Sequence, residues 1–240
     1  MSHSSLALTI GFAAEAVREE GPRVQCVAPR AATPFVADAL HGAGARPLVT
    51  GTSPDALDAA RGAQAVVLDL AALTAEWNDA IVATTARLAS DGTPWVLDLT
   101  RLGDLPLHTE RVDALLANRP AIVRVNPDEI SGFGAPELDA AIVWGDSAER
   151  VTFGGREVKV PLGSAMLAQI PGVRTAVSGL MGACAVVTGR LEAALAGAAW
   201  LALASEQAEE QSRGPASFRT ALVDALWTVR GDEIAEYLNL

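Results

Sequence analysis

Ala65-Val66-Val67-Leu68-Asp69-Leu70 opens the stretch that decides the fold. It is a continuous apolar run of strand length and reads as a strand buried on both faces. Thr74 to Ala89 follows as a helix, with Trp77, Ile81 and Leu88 at helical spacing. Trp95-Val96-Leu97-Asp98-Leu99 is a further strand. Thr109 to Ala117 is a further helix, with Val112, Leu115 and Leu116 on one face. Ala121-Ile122-Val123-Arg124-Val125-Asn126 is again a strand. Strand and helix in strict alternation predict a mostly parallel sheet covered by helices.

Upstream of this stretch the alternation continues. Val24 to Ala28 reads as a strand, and Thr33-Pro34 as an N-cap and first-turn proline for a helix through Leu40. Arg46 to Thr50 is another strand, and Ser53-Pro54-Asp55 repeats the cap signal before a short helix. Downstream the pattern changes. Arg150 to Phe153 and Glu157 to Val160 read as a hairpin joined through Gly154-Gly155. Thr175 to Val229 is rich in alanine and helical, broken at Gly189 and at Gly214-Pro215. The expectation is one α/β domain over residues 1–240, with its C-terminal third helical.

Composition narrows the function. The chain has 240 residues, half of them hydrophobic, which is enough for a substantial core. Its formal net charge of −11 leaves no basic footprint for general nucleic-acid binding. Its one lysine, Lys159, is in a strand-like segment, and no P-loop motif is present. His3, His41 and His108 give no zinc pattern, and Cys26 and Cys184 form no Cys-x-x-Cys pair, so a reducing cytoplasm is expected. Met1 to Ser5 does not read as a signal peptide. The longest apolar stretch, Leu191 to Ala204, is too short for a bilayer and reads as a buried helix; no membrane partner is expected.

In open parallel sheets, ligands bind beyond the carboxyl ends of the strands. Asp98 ends one such strand, and Arg124-Val125-Asn126, followed by Pro127-Asp128-Glu129-Ile130, ends another. An arginine, an asparagine and carboxylates there suit a phosphate and a hydrated magnesium ion. The other reading is that Asp98 caps a turn, Asn126 begins a loop and Glu129 faces solvent. Pro171-Gly172-Val173-Arg174-Thr175 precedes a long helix, so its amides and Arg174 could hold an anion. Equally, this is a plain helix start capped by Thr175.

The segments in order resemble the hydroxyethylthiazole kinase family of the ribokinase-like superfamily. Gly42-Ala43-Gly44-Ala45-Arg46-Pro47-Leu48-Val49 resembles that family's Leu-Gly-Ala-Ser-Pro-Val-Met. Val96 to Gly103 resembles Val-Leu-Asp-Pro-Val-Gly-x-Gly, and Ile122 to Ile130 resembles Ile-Arg-Gly-Asn-x-x-Glu-Ile. Gly214-Pro215-Ala216-Ser217-Phe218 resembles Gly-Pro-Gly-Ser-Phe. The resemblance implies a ribokinase-like α/β fold and ATP-dependent phosphorylation of 4-methyl-5-(2-hydroxyethyl)thiazole or a related alcohol, in thiamine salvage. It implies that Arg124 and Asn126 bind ATP, and that Asp98 and Glu129 serve the nucleotide and organise Mg2+. It implies an acceptor site lined by Val49 and Gly172, and a homotrimer with that site between subunits. The alanine-rich C-terminal half, expected to bury small faces against neighbours, fits such assembly.

The departures are specific. The family's Gly-x-Gly-Cys anion hole reads Gly172-Val173-Arg174-Thr175, which puts Arg174 and Thr175 in the catalytic positions. Cys184 is no substitute and reads as a buried small residue. Thr-Asn-Asn becomes Ala28-Pro29-Arg30, and an asparagine of the acceptor side becomes Asp38. Thr-Gly-Glu becomes Trp144-Gly145-Asp146, without the ATP-contacting threonine. Two functions stay open: a small-molecule kinase, or a non-catalytic homologue that binds or regulates.

Overall fold

A computed structural model describes residues 3–51, 58–73, 78–100, 109–127, 138–145 and 148–238. Helix α1 (His3–Glu20) leads into strand β1 (Arg23–Val27), helix α2 (Thr33–Gly42) and strand β2 (Arg46–Thr50). Then come β3 (Ala65–Asp69), α3 (Asn78–Asp91), β4 (Trp95–Asp98), α4 (Thr109–Ala117), β5 (Ile122–Arg124) and β6 (Ala141–Trp144). Strands β7 (Glu149–Phe153) and β8 (Arg156–Val160) precede four helices: α5 (Val173–Val187), α6 (Arg190–Glu210), α7 (Pro215–Thr228) and α8 (Gly231–Tyr237).

The strands form one sheet in the order β2-β1-β3-β4-β5-β6-β7-β8. The first six pair in parallel, and β7 and β8 are antiparallel. Successive strand side chains point to opposite faces. Val24, Cys26, Val67, Val96 and Ile122 therefore pack under α1, α2, α5, α6 and α7. Val66, Leu68, Trp95, Leu97 and Val123 pack under α3 and α4 on the other face. Strand order reverses between β1 and β3, the switch point where such sheets leave a crevice.

Three elements carry signals that the sequence reading passed over. Leu6, Ile10, Ala13 and Val17 recur at helical spacing in α1 and are buried. Ala141-Ile142-Val143-Trp144 is a short apolar strand running beside β5. Helix α8 is announced by Glu233, whose carboxylate accepts from Arg230 N at 2.7 Å. The hairpin falls where expected, with Gly154 and Gly155 both at positive φ as a tight turn between β7 and β8 requires.

Two local expectations are corrected. The cap of α2 is Ala32, which has no side chain to offer the amides; Thr33 is already helical because Ala32 O takes the first bond, from Val36 N at 3.0 Å. The alanines of α5 and α6 do not wait for neighbours: both helices are largely buried within their own chain. Small side chains let them cross closely. A methyl at Gly197 of α6 would lie 2.6 Å from Met181 N of α5. The cap signal at Ser53-Pro54-Asp55 and the helix start at Thr74 to Trp77 lie outside the described residues.

Arg18 ties the N-terminal helix to the C-terminal region. Its guanidinium donates to Leu226 O at 3.1 Å and to Val229 O, and lies 4.6 Å from the Trp200 ring centroid. Burial holds its pKa below the usual arginine value, against the pull of Glu15. Among the described residues no helix is long and apolar enough to cross a membrane.

The α5–α6 crossing gives a stability prediction. Gly197→Ala should destabilise the fold by about 1–3 kcal/mol, although alanine is the better helix former, because the methyl meets backbone rather than a movable side chain. Thermal or urea unfolding checks it, and an unchanged midpoint would show that the two helices separate freely.

Candidate active site

The carboxyl ends of β3, β4 and β5 bring Asp69, Asp98 and Arg124 into one row, since these strands are in register. Helix α5 lies across the row. Its N-cap, Gly172, has φ +93, and a Cβ there would come 2.8 Å from Ala32 O. Only glycine gives both that conformation and that approach. Ala176 N makes the first i→i−4 bond, to Gly172 O, so the amides of Arg174 and Thr175 lie ahead of it at the positive end of the helix.

Arg124 is the hub. Its Nη1 donates to Asp98 Oδ2 at 3.0 Å, Arg174 O at 2.9 Å and Ser178 Oγ at 3.0 Å. Its Nη2 donates to Glu149 Oε1 at 2.8 Å. Asp98 also accepts from Ser178 Oγ at 2.6 Å, and through its other oxygen from Thr100 N and Thr100 Oγ1. Asp98 is 2% exposed and Arg124 6%. Burial pushes the Arg124 pKa down, but Asp98 and Glu149 outweigh it and hold the guanidinium above the usual arginine value.

The row continues at β3. Thr175 Oγ1 donates to Asp69 Oδ2 at 2.6 Å, and Ala71 N donates to Asp69 Oδ1 at 2.9 Å. Thr175 is therefore not the cap of a plain helix start. It stands inside the first turn of α5 and is locked to a strand 106 residues away in sequence. Arg174 reaches the other way, with Nη1 3.4 Å from Thr100 O.

Two cavities flank this turn. One, of about 800 Å³, is lined by Thr100, Arg124, Asn126, Trp144, Glu149 and Arg174, among others. Arg150 stacks on the Trp144 ring, 5.2 Å from its centroid. The second, of about 790 Å³, sits at the switch point and is lined by Ala28, Pro29, Arg30, Thr33, Pro34, Val49, Gly51, Ala71 and Ala72. Gly172 backs onto Ala32 at the rim of the second cavity, while Val173 and Arg174 line the first. The first turn of α5 thus lines the first cavity and approaches the second only through the packing of Gly172 on Ala32.

Thus Asp98, Arg124, Arg174 and Thr175 come together, Asn126 lines the first cavity and Val49 the second. Gly172 shapes the helix start rather than lining either cavity. Glu129 lies outside the described residues, as does Asp146. Asp98 stands at a strand end as expected, but Arg124, Ser178 and Thr100 close it off from solvent. Sequence reading did not find Glu149 or Ser178, and it marked Asp69 only as a departure from the family's Asn-x-Gly-Thr-Leu. Ser178 has a usable signal: it lies one helical turn after Arg174, and so faces the same strands. Asp38 is exposed and pairs with Arg219 at 2.9 Å. Both cysteines are buried free thiols; burial pushes each to about 12, helped at Cys26 by the charge of Asp69. Cys184 is thus an inert core residue.

A mostly parallel sheet covered by helices is the architecture of a ribokinase-like fold. A crystallised pyridoxal kinase of Bacillus subtilis, in complex with ADP, shares it at TM-score 0.54 and 10% identity over 77% of this chain and 91% of that one. The model of the hydroxyethylthiazole kinase family matches residues 14–136 and 133–232. The chain belongs to that family. It is 32% identical to a hydroxyethylthiazole kinase of Clavibacter sepedonicus, over 92% of this chain and 90% of that one. The solved hydroxyethylthiazole kinase of Pyrococcus horikoshii superposes with TM-score 0.81 at 25% identity, covering 92% and 93% of the two chains.

The hub yields the second prediction. Arg124→Met leaves Asp98 and Glu149 without their common cation, and should cost about 3–5 kcal/mol of stability. Urea unfolding measures it. A loss below 1 kcal/mol would mean that the ion pairs are replaceable by water.

Proposed function

We propose that this protein phosphorylates the hydroxyl of 4-methyl-5-(2-hydroxyethyl)thiazole, or of a related small alcohol, with ATP and Mg2+, in thiamine salvage. Family membership supports the class of reaction. The observation that carries the reading in this chain is the start of α5, which puts Arg174 on the wall of one cavity and, through Gly172, packs on Ala32 beside the other.

Phosphoryl transfer asks a protein for positioning and charge neutralisation more than for covalent chemistry. Nucleotide phosphates in the larger cavity would meet Arg174 and the first amides of α5. The acceptor, in the cavity beside Val49, would meet the same turn from the other side. Arg124 is held by Asp98, Glu149 and Ser178. Its part is to fix Arg174 O, and with it the start of α5, while presenting charge at the cavity wall. Thr175, bonded to Asp69, fixes the turn from the acceptor side. The altered anion hole is compatible with catalysis, since the Arg174 guanidinium reaches towards Thr100 O at the wall of the same cavity.

Magnesium, when bound, would neutralise phosphate charge and orient the transferred group. The oxygen donors suited to it are Asn126 and Glu149 at the cavity wall. Glu129 belongs to the same proposed set by family resemblance. Asp98 would support them from behind, its oxygens already engaged by Arg124, Ser178 and Thr100.

The same reading places the activity in one domain, in the cytoplasm, where the two unpaired thiols are at home. It also includes a homotrimer, supported by family resemblance and by Leu8, Phe12, Leu48 and Trp227, large apolar side chains exposed in the isolated chain. Leu48 lies on the edge strand β2. Light scattering at micromolar concentration should give the mass of three chains; a monomer mass overturns the assembly.

Arg174→Ala should lower kcat about 10²–10³-fold at unchanged melting temperature, since it removes a charged donor aimed at developing charge. The measurement is ATP-dependent formation of the phosphorylated alcohol, with thermal shift by Mg-ATP alongside. Wild-type turnover that Arg174→Ala leaves intact removes Arg174 from the mechanism. Absence of both turnover and Mg-ATP binding in wild type overturns the kinase reading and leaves the non-catalytic one.

A further inference from the structure

Two hydroxyls lay helix α5 across the sheet. Thr175 Oγ1 donates to Asp69 Oδ2 and Ser178 Oγ to Asp98 Oδ2, each at 2.6 Å. The donors are one helical turn apart, and the acceptors are paired positions at the ends of β3 and β4. All four side chains are buried. The Asp98 bond belongs to the Arg124 network. The Asp69 bond is a separate attachment on the neighbouring strand. A helix held at one point pivots about it, whereas two points on adjacent strands fix its direction. Arg174, on the wall of the first cavity, immediately precedes Thr175.

Asp69 also reaches the second cavity. Its Oδ1 accepts from Ala71 N at 2.9 Å and closes the turn Leu70–Ala72. Ala71 and Ala72 line that cavity. One carboxylate therefore joins the wall of the second cavity to the turn of α5 that borders the first.

An independent observation falls on the same bond. Both of its ends are departures from the family's motifs: Asp69 stands for the asparagine of Asn-x-Gly-Thr-Leu, and Thr175 for the cysteine of Gly-x-Gly-Cys. The two exchanges fit each other chemically. A hydroxyl is a strong donor to a carboxylate, and a thiol is a weak one. A buried carboxylate facing a thiol would lose a donor it needs.

We infer that Asp69 is a positioning residue: through Thr175 it sets the α5 turn that meets the phosphates, and the two side chains act as a matched pair. Thr175 lines neither cavity, so its hydroxyl serves Asp69 rather than the substrate. The inference rests on the kinase reading and says how the helix start of that kinase is held.

The test is a cycle of Asp69→Asn, Thr175→Cys and the two together, with Thr175→Ser alongside. Phosphorylation of 4-methyl-5-(2-hydroxyethyl)thiazole and calorimetric binding of Mg-ATP are measured on each, below its melting temperature. Thr175→Cys should lower kcat about 10–100-fold, with the KM for the alcohol changed less than about threefold, because a slightly misplaced turn spoils the reacting geometry. Thr175→Ser, which keeps the hydroxyl, should lose less. Asp69→Asn should lower kcat about threefold in wild type, yet raise it about tenfold when added to Thr175→Cys. That reversal of sign is the signature of a matched pair, whereas a merely structural role gives losses that add. Additive losses, or a kcat that Thr175→Cys leaves intact, overturn the inference and leave the kinase standing. Mg-ATP affinity should follow the same order by a smaller factor, so the cycle is also read without turnover. If wild type binds Mg-ATP without turnover, the reversal in binding keeps the inference while the kinase reading falls, and its absence overturns both. No binding of Mg-ATP by wild type also overturns both. Should Thr175→Cys not fold, Thr175→Val, which keeps the shape and lacks the hydroxyl, takes its place with the same reversal expected.

Discussion

The buried guanidinium of Arg124 is the interaction on which the site depends. A charge this deep is costly unless it is paired and fully hydrogen-bonded. Asp98 on β4, Glu149 on β7 and Ser178 on α5 satisfy its two Nη groups, while its Nε is buried with no hydrogen-bond partner among the described residues. Because the partners come from a parallel strand, an antiparallel strand and a helix, satisfying one side chain fixes three elements relative to one another. The bond to Arg174 O then sets the height of the α5 N-terminus above the sheet. What a sheet with loose loops would leave variable becomes a defined wall.

That wall explains how the chain can depart from its family's anion hole. In the family motif, glycine makes room for a phosphate and cysteine stands next to it. Here Gly172 keeps the left-handed turn that starts the helix, so the amides still point outward. Arg174 brings an exposed charge, and Thr175 is anchored to Asp69 instead of standing free. The backbone geometry is retained while the side-chain chemistry is exchanged.

The two cavities share a scaffold but differ in electrostatics. The larger has carboxylates on its wall, Glu149 and Glu206, beside Arg124 and Arg174. The second has Arg30 and, among its described lining residues, no carboxylate. A kinase that handles a polyanion with a divalent cation benefits from carboxylates near the first.

By itself the sequence determined the order of strands and helices from β1 to β5, the hairpin and the helical C-terminal third. Hydrophobic periodicity is a local property, readable within one element: Val66, Val67 and Leu68 declare a buried strand without reference to anything distant. It determined the family too, and placed Asp98, Arg124, Arg174 and Thr175 near one another through strand ends and a helix start. It overlooked α1 and β6, where weaker patterns of Leu6, Ile10 and Val17 or a four-residue apolar run compete with long neighbours. Tertiary structure alone decided what the polar groups do. Thr175 meets Asp69 across 106 residues, and Arg124 meets Glu149 and Ser178 across 25 and 54. Such pairings depend on which elements the sheet order makes adjacent and on which way each side chain leaves its backbone. No local pattern encodes that, and so the closure of Asp98 and the burial of the alanine helices within their own chain emerged only from the fold.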